Sequence, residues 1–330
     1  MKVAWPVRIA GTGACVPDCV VGNDRFAERL DTSDEWIVQR TGIRERRMAP
    51  VEQSTLHLAT TASRGALASA GIPATDLSLI VTATITPDYP LPSTACMLQS
   101  ELGCNWIPAY DLVAACSGFV YSLITAAQFV ANGLGQRALV VGAEIMTRMT
   151  DMEDRTSAIL FGDGAGAAIL ERSDDPNQGI LAVNSGADGG RAKLIWVPAG
   201  GAAEPASART VNERLHFMRM RGREVYKFAV TQMEELIQKT VADAGVALSD
   251  VAMIVPHQSN LRIIESACER LAWPMERVLV NIDRYGNTSA ASVPLALHEA
   301  VVTQRIRRGD LVLLVAFGAG LTWASVLLRY

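Results

Sequence analysis

An α/β fold made of two similar halves is what this sequence predicts, and three observations carry that prediction. Strand-like apolar runs alternate with helical stretches along the chain. A pattern of helix end, short loop and buried strand occurs twice. Ala70-Gly71-Ile72 with Asp76-Leu77-Ser78-Leu79-Ile80-Val81 recurs as Ala244-Gly245-Val246 with Asp250-Val251-Ala252-Met253-Ile254-Val255. A turn-rich stretch, Ser173-Asp174-Asp175-Pro176-Asn177-Gln178-Gly179, interrupts the chain close to its midpoint. Repetition at a fixed offset, here roughly 174 residues, marks duplicated architecture. Two halves, 1–173 and 174–330, are therefore expected, with mixed sheets covered by helices.

Val7–Ala10 reads as the first strand. Gly11-Thr12-Gly13-Ala14-Cys15-Val16 follows it without the third glycine or the helix that a phosphate-cradling loop needs, and is expected to be a tight turn. Arg44-Glu45-Arg46-Arg47 reads as a solvated basic stretch, Thr55–Ala70 as a helix and Leu79–Ala83 as a strand. Pro108–Ala115 is a buried strand. It breaks at Cys116-Ser117-Gly118 into an amphipathic helix with Phe119, Leu123, Ala126, Ala127 and Val130 on one face.

Ala138–Gly142 and Ala167–Leu170 are further strands. Phe161-Gly162-Asp163-Gly164-Ala165-Gly166, before the second of them, again runs into a strand rather than a helix and is expected to turn. Lys193–Asn212, rich in Gly, Ala and Pro, reads as a surface excursion. Met253–Val255 and Leu311–Ala316 are strands, and Phe317-Gly318 echoes Phe161-Gly162. With a small slip in the offset, Tyr110–Ala127 falls opposite Asn281–His298. Cys116 then falls opposite Asn287, and packing about a pseudo-twofold axis would bring the two together.

The composition narrows the function. A chain of 330 residues with 49% hydrophobic content can bury a large core, and a net charge of −4 argues against a general nucleic-acid binder. Met1–Arg8 holds an early Pro and Arg without a long apolar core, unlike a signal peptide. The longest apolar runs, such as Leu311–Phe317, are strand-length, so no membrane insertion and a cytoplasmic location are expected. The six cysteines show no disulfide or zinc rhythm; Cys15 and Cys19 flank Val16-Pro17-Asp18 with no partner pair, so free thiols and no metal are expected.

Chemistry concentrates at strand ends. Cys116 sits where a strand turns into a helix, and the dipole with its free N–H groups would favour the nucleophilic thiolate. Of the four histidines, His57 and His298 lie in helical patterns and His216 in a basic stretch. His257 alone stands at the C-terminal end of a strand, where open α/β sheets place ligands, and in the repeat it falls near Ala83. With Asn287 this makes a Cys, His, Asn set. In a papain-like hydrolase the asparagine orients the histidine; here it is the repeat-mate of the cysteine.

Ala115-Cys116-Ser117-Gly118-Phe119, Pro256-His257-Gln258-Ser259-Asn260-Leu261-Arg262-Ile263 and Tyr285-Gly286-Asn287-Thr288-Ser289-Ala290-Ala291-Ser292 resemble β-ketoacyl-acyl-carrier-protein synthase III. So do Asp31–Ile43 and Phe161–Leu170, in the right order over essentially the whole chain. The resemblance implies a thiolase-like fold, with duplicated halves in a five-layer αβαβα arrangement, acting as a homodimer. It implies that Cys116 takes an acyl group from acyl-coenzyme A, a substrate rather than a cofactor. Malonyl-acyl-carrier protein then loses CO2, and the enolate attacks the thioester. His257 and Asn287 would donate hydrogen bonds to the malonyl thioester oxygen, and the backbone N–H groups of Cys116 and Ala319 would form a second oxyanion hole. The family usually carries glycine at Ala319; a backbone donor survives that change where φ and ψ suit alanine.

The resemblance further implies that Trp36 and Arg155 sandwich the adenine of coenzyme A, with Arg40 meeting phosphate and Asn260 beside them. Gln258, Ser259, Asn260, Leu261 and Arg262 would meet the acidic carrier protein. Leu91 aligns where acetyl-selective members place a phenylalanine from the partner subunit, so longer or branched primers are expected unless a neighbour such as Met146 compensates. An acyltransferase of secondary metabolism with the same catalytic set is the alternative. A thiolase would need a second cysteine as base, and Cys268 lies in a helical pattern instead. A non-catalytic acyl-binding scaffold would be expected to have lost one of the three residues.

Overall fold

The computed structural model describes residues 5–175 and 177–330. Nine main strands run in the order β1 (Val7–Cys15), β2 (Leu79–Ala83), β3 (Ala109–Leu112), β4 (Arg137–Ile145), β5 (Asp163–Arg172), β6 (Gly179–Ala187), β7 (Val251–Pro256), β8 (Leu311–Gly318) and β9 (Thr322–Arg329). The principal helices are α1 (Thr55–Ala70), α2 (Gly118–Ala131), α3 (Gly222–Asp243), α4 (Leu261–Arg270) and α5 (Ser292–Val302).

The first sheet has the order β1-β5-β4-β2-β3 and the second β6-β9-β8-β7. In each, two antiparallel pairings are followed by a parallel one: β1/β5, β5/β4 and β4/β2 match β6/β9, β9/β8 and β8/β7. The counterpart of β3 is reduced to a single parallel bridge between Ile254 and Val278. The halves are duplicated.

Strand side chains alternate between layers. Ala138 and Val140 of β4 face a central core with Phe119, Leu123 and Val130 of α2 and Val293, Ala296 and Leu297 of α5. Leu139 and Val141 face outward onto Leu58, Ala62 and Ala66 of α1. The second sheet is covered outside by Met233 and Ile237 of α3 and Ile263 and Ile264 of α4. The result is five layers, αβαβα.

The glycine clusters lie inside strands rather than at turns. Gly11 and Gly13 belong to β1, where a Cβ would collide with the α1 backbone at Ala70 and Ala62. Gly166 of β5 meets Leu295 of α5 in the same way. Helices press so closely on these strands that any side chain would intrude.

The slip assumed in the repeat is also corrected. A 3₁₀ turn leads into each central helix, Ala115–Ser117 before Gly118 and Ser289–Ala291 before Ser292. The offset is 292 − 118 = 174, so Ala115 corresponds to Ser289, and Cys116 to Ala290 rather than Asn287. Ala115 and Ser289 share a left-handed backbone, φ 46° and 49°. Phe317-Gly318 ends a strand whereas Phe161-Gly162 precedes one, so that echo is not a structural equivalence.

Candidate active site

Cys116, His257 and Asn287 all line one cavity of about 280 Å³. Cys116 sits on the turn between β3 and α2, held by Ser117 Oγ, which donates to the Ala114 carbonyl at 2.8 Å and pairs with Thr322 Oγ1 at 2.6 Å. Gly318, at the end of β8, approaches so closely that a Cβ there would stand 2.7 Å from the Cys116 amide nitrogen. Ala319 follows it on the cavity wall, and its φ is not among the positive values that would strain alanine.

His257 directly follows β7. Its amide donates to the Val315 carbonyl at 2.8 Å, and its ring meets Phe317 edge-on with centroids 5.5 Å apart. Nδ1 lies 2.6 Å from Ser292 Oγ at the start of α5. Burial pulls the imidazole down to about 3, so it is neutral at physiological pH.

Asn287 follows Gly286, whose φ of 63° turns the chain. Its backbone is clamped to the other half: its N–H donates to the Leu160 carbonyl at 2.8 Å, and its carbonyl accepts from Gly162 at 3.1 Å. Oδ1 accepts the Ser289 N–H at 2.9 Å, which leaves the amide Nδ2 as its donor to the cavity.

The resting Cys116 thiol departs from expectation. The residue touches the cavity with part of its surface, but the sulfur lies deep among protein atoms. Burial pushes the thiol up to about 12, with the Glu144 carboxylate adding to the rise. From 9.0 to about 12 is roughly 4 kcal/mol, more than the up to about 2 kcal/mol that a helix terminus returns. The thiol is protonated at rest.

Around the mouth, the Arg155 guanidinium lies 5.1 Å and that of Arg40 5.5 Å from the Trp36 ring. A flat base between Trp36 and Arg155 needs about 7 Å, so the pair is closed and Arg155 must swing aside to admit one. Asn260 caps α4 through Oδ1, which accepts the Arg262 N–H at 3.0 Å, and its Nδ2 donates to the Arg40 carbonyl at 3.0 Å. Arg262 is exposed beside Tyr226, Ser259 lines the cavity, and Leu261 packs on Gly42.

Gln258 cannot meet a partner. It is buried, with Nε2 donating to the Pro256 and Leu279 carbonyls and Oε1 accepting from Asn281 and Ile282. Arg46 is likewise fully buried rather than solvated, its guanidinium donating to the Ile159 carbonyl and to Asn23 Oδ1. Leu91 is 86% exposed and lies outside the lining of this chain's cavity.

Sequence reasoning missed several lining groups. The supposed surface excursion, Lys193–Asn212, supplies Ile195–Trp196, which pairs with Arg219–Met220 beyond it, and this pairing places Ile195, Met218 and Met220 in the cavity wall. The alternation Met218-Arg219-Met220 was the available signal. Met146, Phe161 and Met218 form an apolar cluster at the cavity. Among the described residues no group of three or more His, Cys, Asp or Glu could hold a metal ion, and no helix is long and apolar enough to cross a membrane.

Comparison with known proteins bears on this geometry. Residues 110–189 match the family described as 3-oxoacyl-[acyl-carrier-protein] synthase III, and residues 241–330 match its C-terminal part. A β-ketoacyl-[acyl-carrier-protein] synthase III of Symbiobacterium thermophilum is 47% identical over 330 residues, covering 100% of this chain and 99% of that protein. The crystal structure of 3-oxoacyl-[acyl-carrier-protein] synthase III from Aquifex aeolicus is 44% identical with a TM-score of 0.91, covering 98% of this chain and 100% of the other. That of the priming β-ketosynthase of the R1128 polyketide pathway is 35% identical with a TM-score of 0.89, over 99% and 97%. With a thiolase-like fold and a full-length likeness of this strength, the chain belongs to the 3-oxoacyl-[acyl-carrier-protein] synthase III family.

Proposed function

We propose that this protein condenses an acyl-coenzyme A primer with malonyl-acyl-carrier protein, with loss of CO2, to give the 3-oxoacyl product that initiates fatty acid synthesis. The observation that carries the reading is the convergence of Cys116, His257 and Asn287 on one cavity, with His257 Nε2 and Asn287 Nδ2 left as donors. Cys116 Sγ attacks the primer carbonyl, and the N–H groups of Cys116 and Ala319 hold the oxyanion. In the second half-reaction, decarboxylation places negative charge on the malonyl thioester oxygen, and His257 and Asn287 donate to it. Loss of CO2 itself makes the carbanion, so no strong base is needed there.

Coenzyme A would lie across Trp36, Arg40, Arg155 and Asn260. The carrier protein, an acidic partner, would dock at Arg262, Ser259 and Leu261, where exposed Arg221, Arg223 and Lys227 add positive charge. A homodimer is supported by β3, an edge strand followed by Val113, 77% exposed, and by Leu91, 86% exposed in the loop ahead of the helix Thr94–Glu101 that packs on β3. In that dimer Leu91 would reach the partner's acyl pocket. Its size and the apolar walls of Ile85, Met146 and Met218 favour primers larger than acetyl. We divide the halves at 173/174 and place the enzyme in the cytoplasm, with no resident cofactor.

Intact-mass spectrometry after incubation with acetyl-, isobutyryl- and octanoyl-coenzyme A tests the reading. One acyl mass on the wild type, absent from Cys116→Ala, supports it, and the amounts rank the primers. Strict acetyl preference would sink the primer assignment; no adduct from any thioester would sink the reading. The secondary-metabolism alternative shares this chemistry but rests on a weaker likeness, 35% against 47% identity.

A further inference from the structure

The buried thiol raises a question that the proposed mechanism leaves open: where its proton goes. Cys116 Sγ lies 3.6 Å from Ser289 Oγ, and Ser289 Oγ lies 3.0 Å from Glu144 Oε1. Glu144 is fully buried on β4, within the core. Its other oxygen, Oε2, accepts four hydrogen bonds, from Thr84 Oγ1, the Ile85 and Thr86 N–H groups and Thr86 Oγ1, at 2.6–3.2 Å. These donors hold Oε2 in place and leave Oε1 turned to the serine.

The direction of each bond follows. A carboxylate only accepts, so the Ser289 hydroxyl donates to Glu144, and its lone pair is left for the thiol. The order is therefore S–H to O–H to carboxylate. His257 is badly placed for the same task. Ser292 Oγ accepts the Gln258 N–H and has no acceptor for its own hydrogen other than His257 Nδ1 among the described residues. Nε2 then carries the ring proton and has no lone pair for the cavity.

We propose that the Cys116 thiol proton passes through Ser289 Oγ to Glu144 Oε1 as the acyl group is transferred. This rests on the acyl-enzyme reading above. As Sγ bonds to the primer carbonyl carbon, the S–H proton moves to Ser289 Oγ and the serine's own proton moves to Glu144. The bond from the carbonyl to the coenzyme A sulfur breaks, and the departing thiolate is protonated by water. When condensation later frees the Cys116 thiolate, the proton returns along the same path and Glu144 is again a carboxylate. One proton is taken up overall, as decarboxylative condensation requires. Glu144 acts through Ser289, so it is a positioning residue rather than a catalytic one.

Burial lifts Glu144 to about 7, which suits a proton acceptor near neutral pH. The titratable group facing it is Cys116. Asp163 on the adjoining strand gives both oxygens to Thr147 and Ala49, Thr84, Thr86 and Ser289 are neutral, and no cation is among its partners.

The test is the rate of acyl-Cys116 formation, followed by quenched intact mass from pH 5.5 to 9, in wild type, Glu144→Gln and Ser289→Ala. Wild type should accelerate as pH rises through about 7. Either variant should be slower by about 10²-fold at pH 8 and lose that rise. Once acylated by long incubation, Glu144→Gln should still release CO2 from malonyl-acyl-carrier protein at near the wild-type rate, which a general structural defect would not allow. If Glu144→Gln does not fold, Ser289→Ala decides alone. Adduct formation within threefold of wild type, with the rise intact, overturns the relay while leaving the acyl-enzyme reading standing. No adduct in the wild type overturns both.

Discussion

Ser292 Oγ stands 2.6 Å from His257 Nδ1, and it is the first residue of α5, equivalent by the repeat to Gly118 beside Cys116. One turn thus orients the donors: Ser289 N–H takes Asn287 Oδ1, and Ser292 sets the tautomer of His257. Ser292→Ala frees the ring to protonate either nitrogen. Malonyl decarboxylation is expected to fall by about 10-fold to 10²-fold, short of removing an oxyanion donor outright, while acylation of Cys116 stays near wild type. CO2 release and adduct formation, measured side by side, check this; equal loss in both steps would contradict it.

Trp36 presents its ring to two guanidinium groups at the cavity mouth. Trp36→Ala should raise KM for acyl-coenzyme A about tenfold, the worth of one stacked base, with kcat within about twofold. Steady-state kinetics with a saturating carrier substrate separate the two constants. A fall in kcat with unchanged KM would place Trp36 elsewhere in the cycle.

His257 also links stability to pH. Its folded value is about 3 against an ordinary 6.5. Below 6.5 the unfolded chain binds a proton that the folded chain refuses, so stability is lost as pH falls. The loss is up to about 1.4 kcal/mol per pH unit; above 6.5 the contribution is fully present. Urea midpoints of wild type and His257→Gln should diverge between pH 7 and 5, the variant losing less. Parallel curves would show that the ring accepts a proton in place.

Gly142 of β4 lies under the turn of the opposite half, where a Cβ would strike the Ala290 carbonyl. Gly142→Ala should lower Tm by several degrees, since overpacking costs about 1–3 kcal/mol. It should also cut activity beyond the loss of folded protein, because Ala290 adjoins Ser289. Gly189→Ala, with nothing within 4 Å of the new Cβ, is the matched control and should change neither.

Much of this was legible in the residues because strand ends and helix starts leave local marks. Cys116 and His257 are each announced by an apolar run that stops beside them. Asn287 was found, but its equivalence to Cys116 was three residues out. Matching polar residue to polar residue overrode the register, whereas the backbone equates Ala115 with Ser289, the two left-handed positions. Arg46 looks solvated because polarity is taken for exposure, whereas the resemblance alone puts Gln258 on the carrier-protein face. Backbone carbonyls at Pro256 and Leu279 satisfy the Gln258 amide inside the protein, and that of Ile159 takes one of the Arg46 donors. The hydrogen bonds from Ser289 to Glu144 and from Ser292 to His257 join positions 145 and 35 residues apart. No spacing rule reaches such pairs; only the folded chain brings them together.

The missing strand of the second sheet sets a limit on assembly. Had the duplication stayed complete, each molecule would carry two equivalent open edges, and pairing could run on from molecule to molecule as a fibre. Here Val278 bridges β7, and Arg277 donates to the Val251 carbonyl on that side. At the far end of the first sheet, Arg308 binds the Ile9 and Ala10 carbonyls of β1. Were copies to pair through β3, as in the dimer proposed above, the contact would be self-complementary, each copy closing the other.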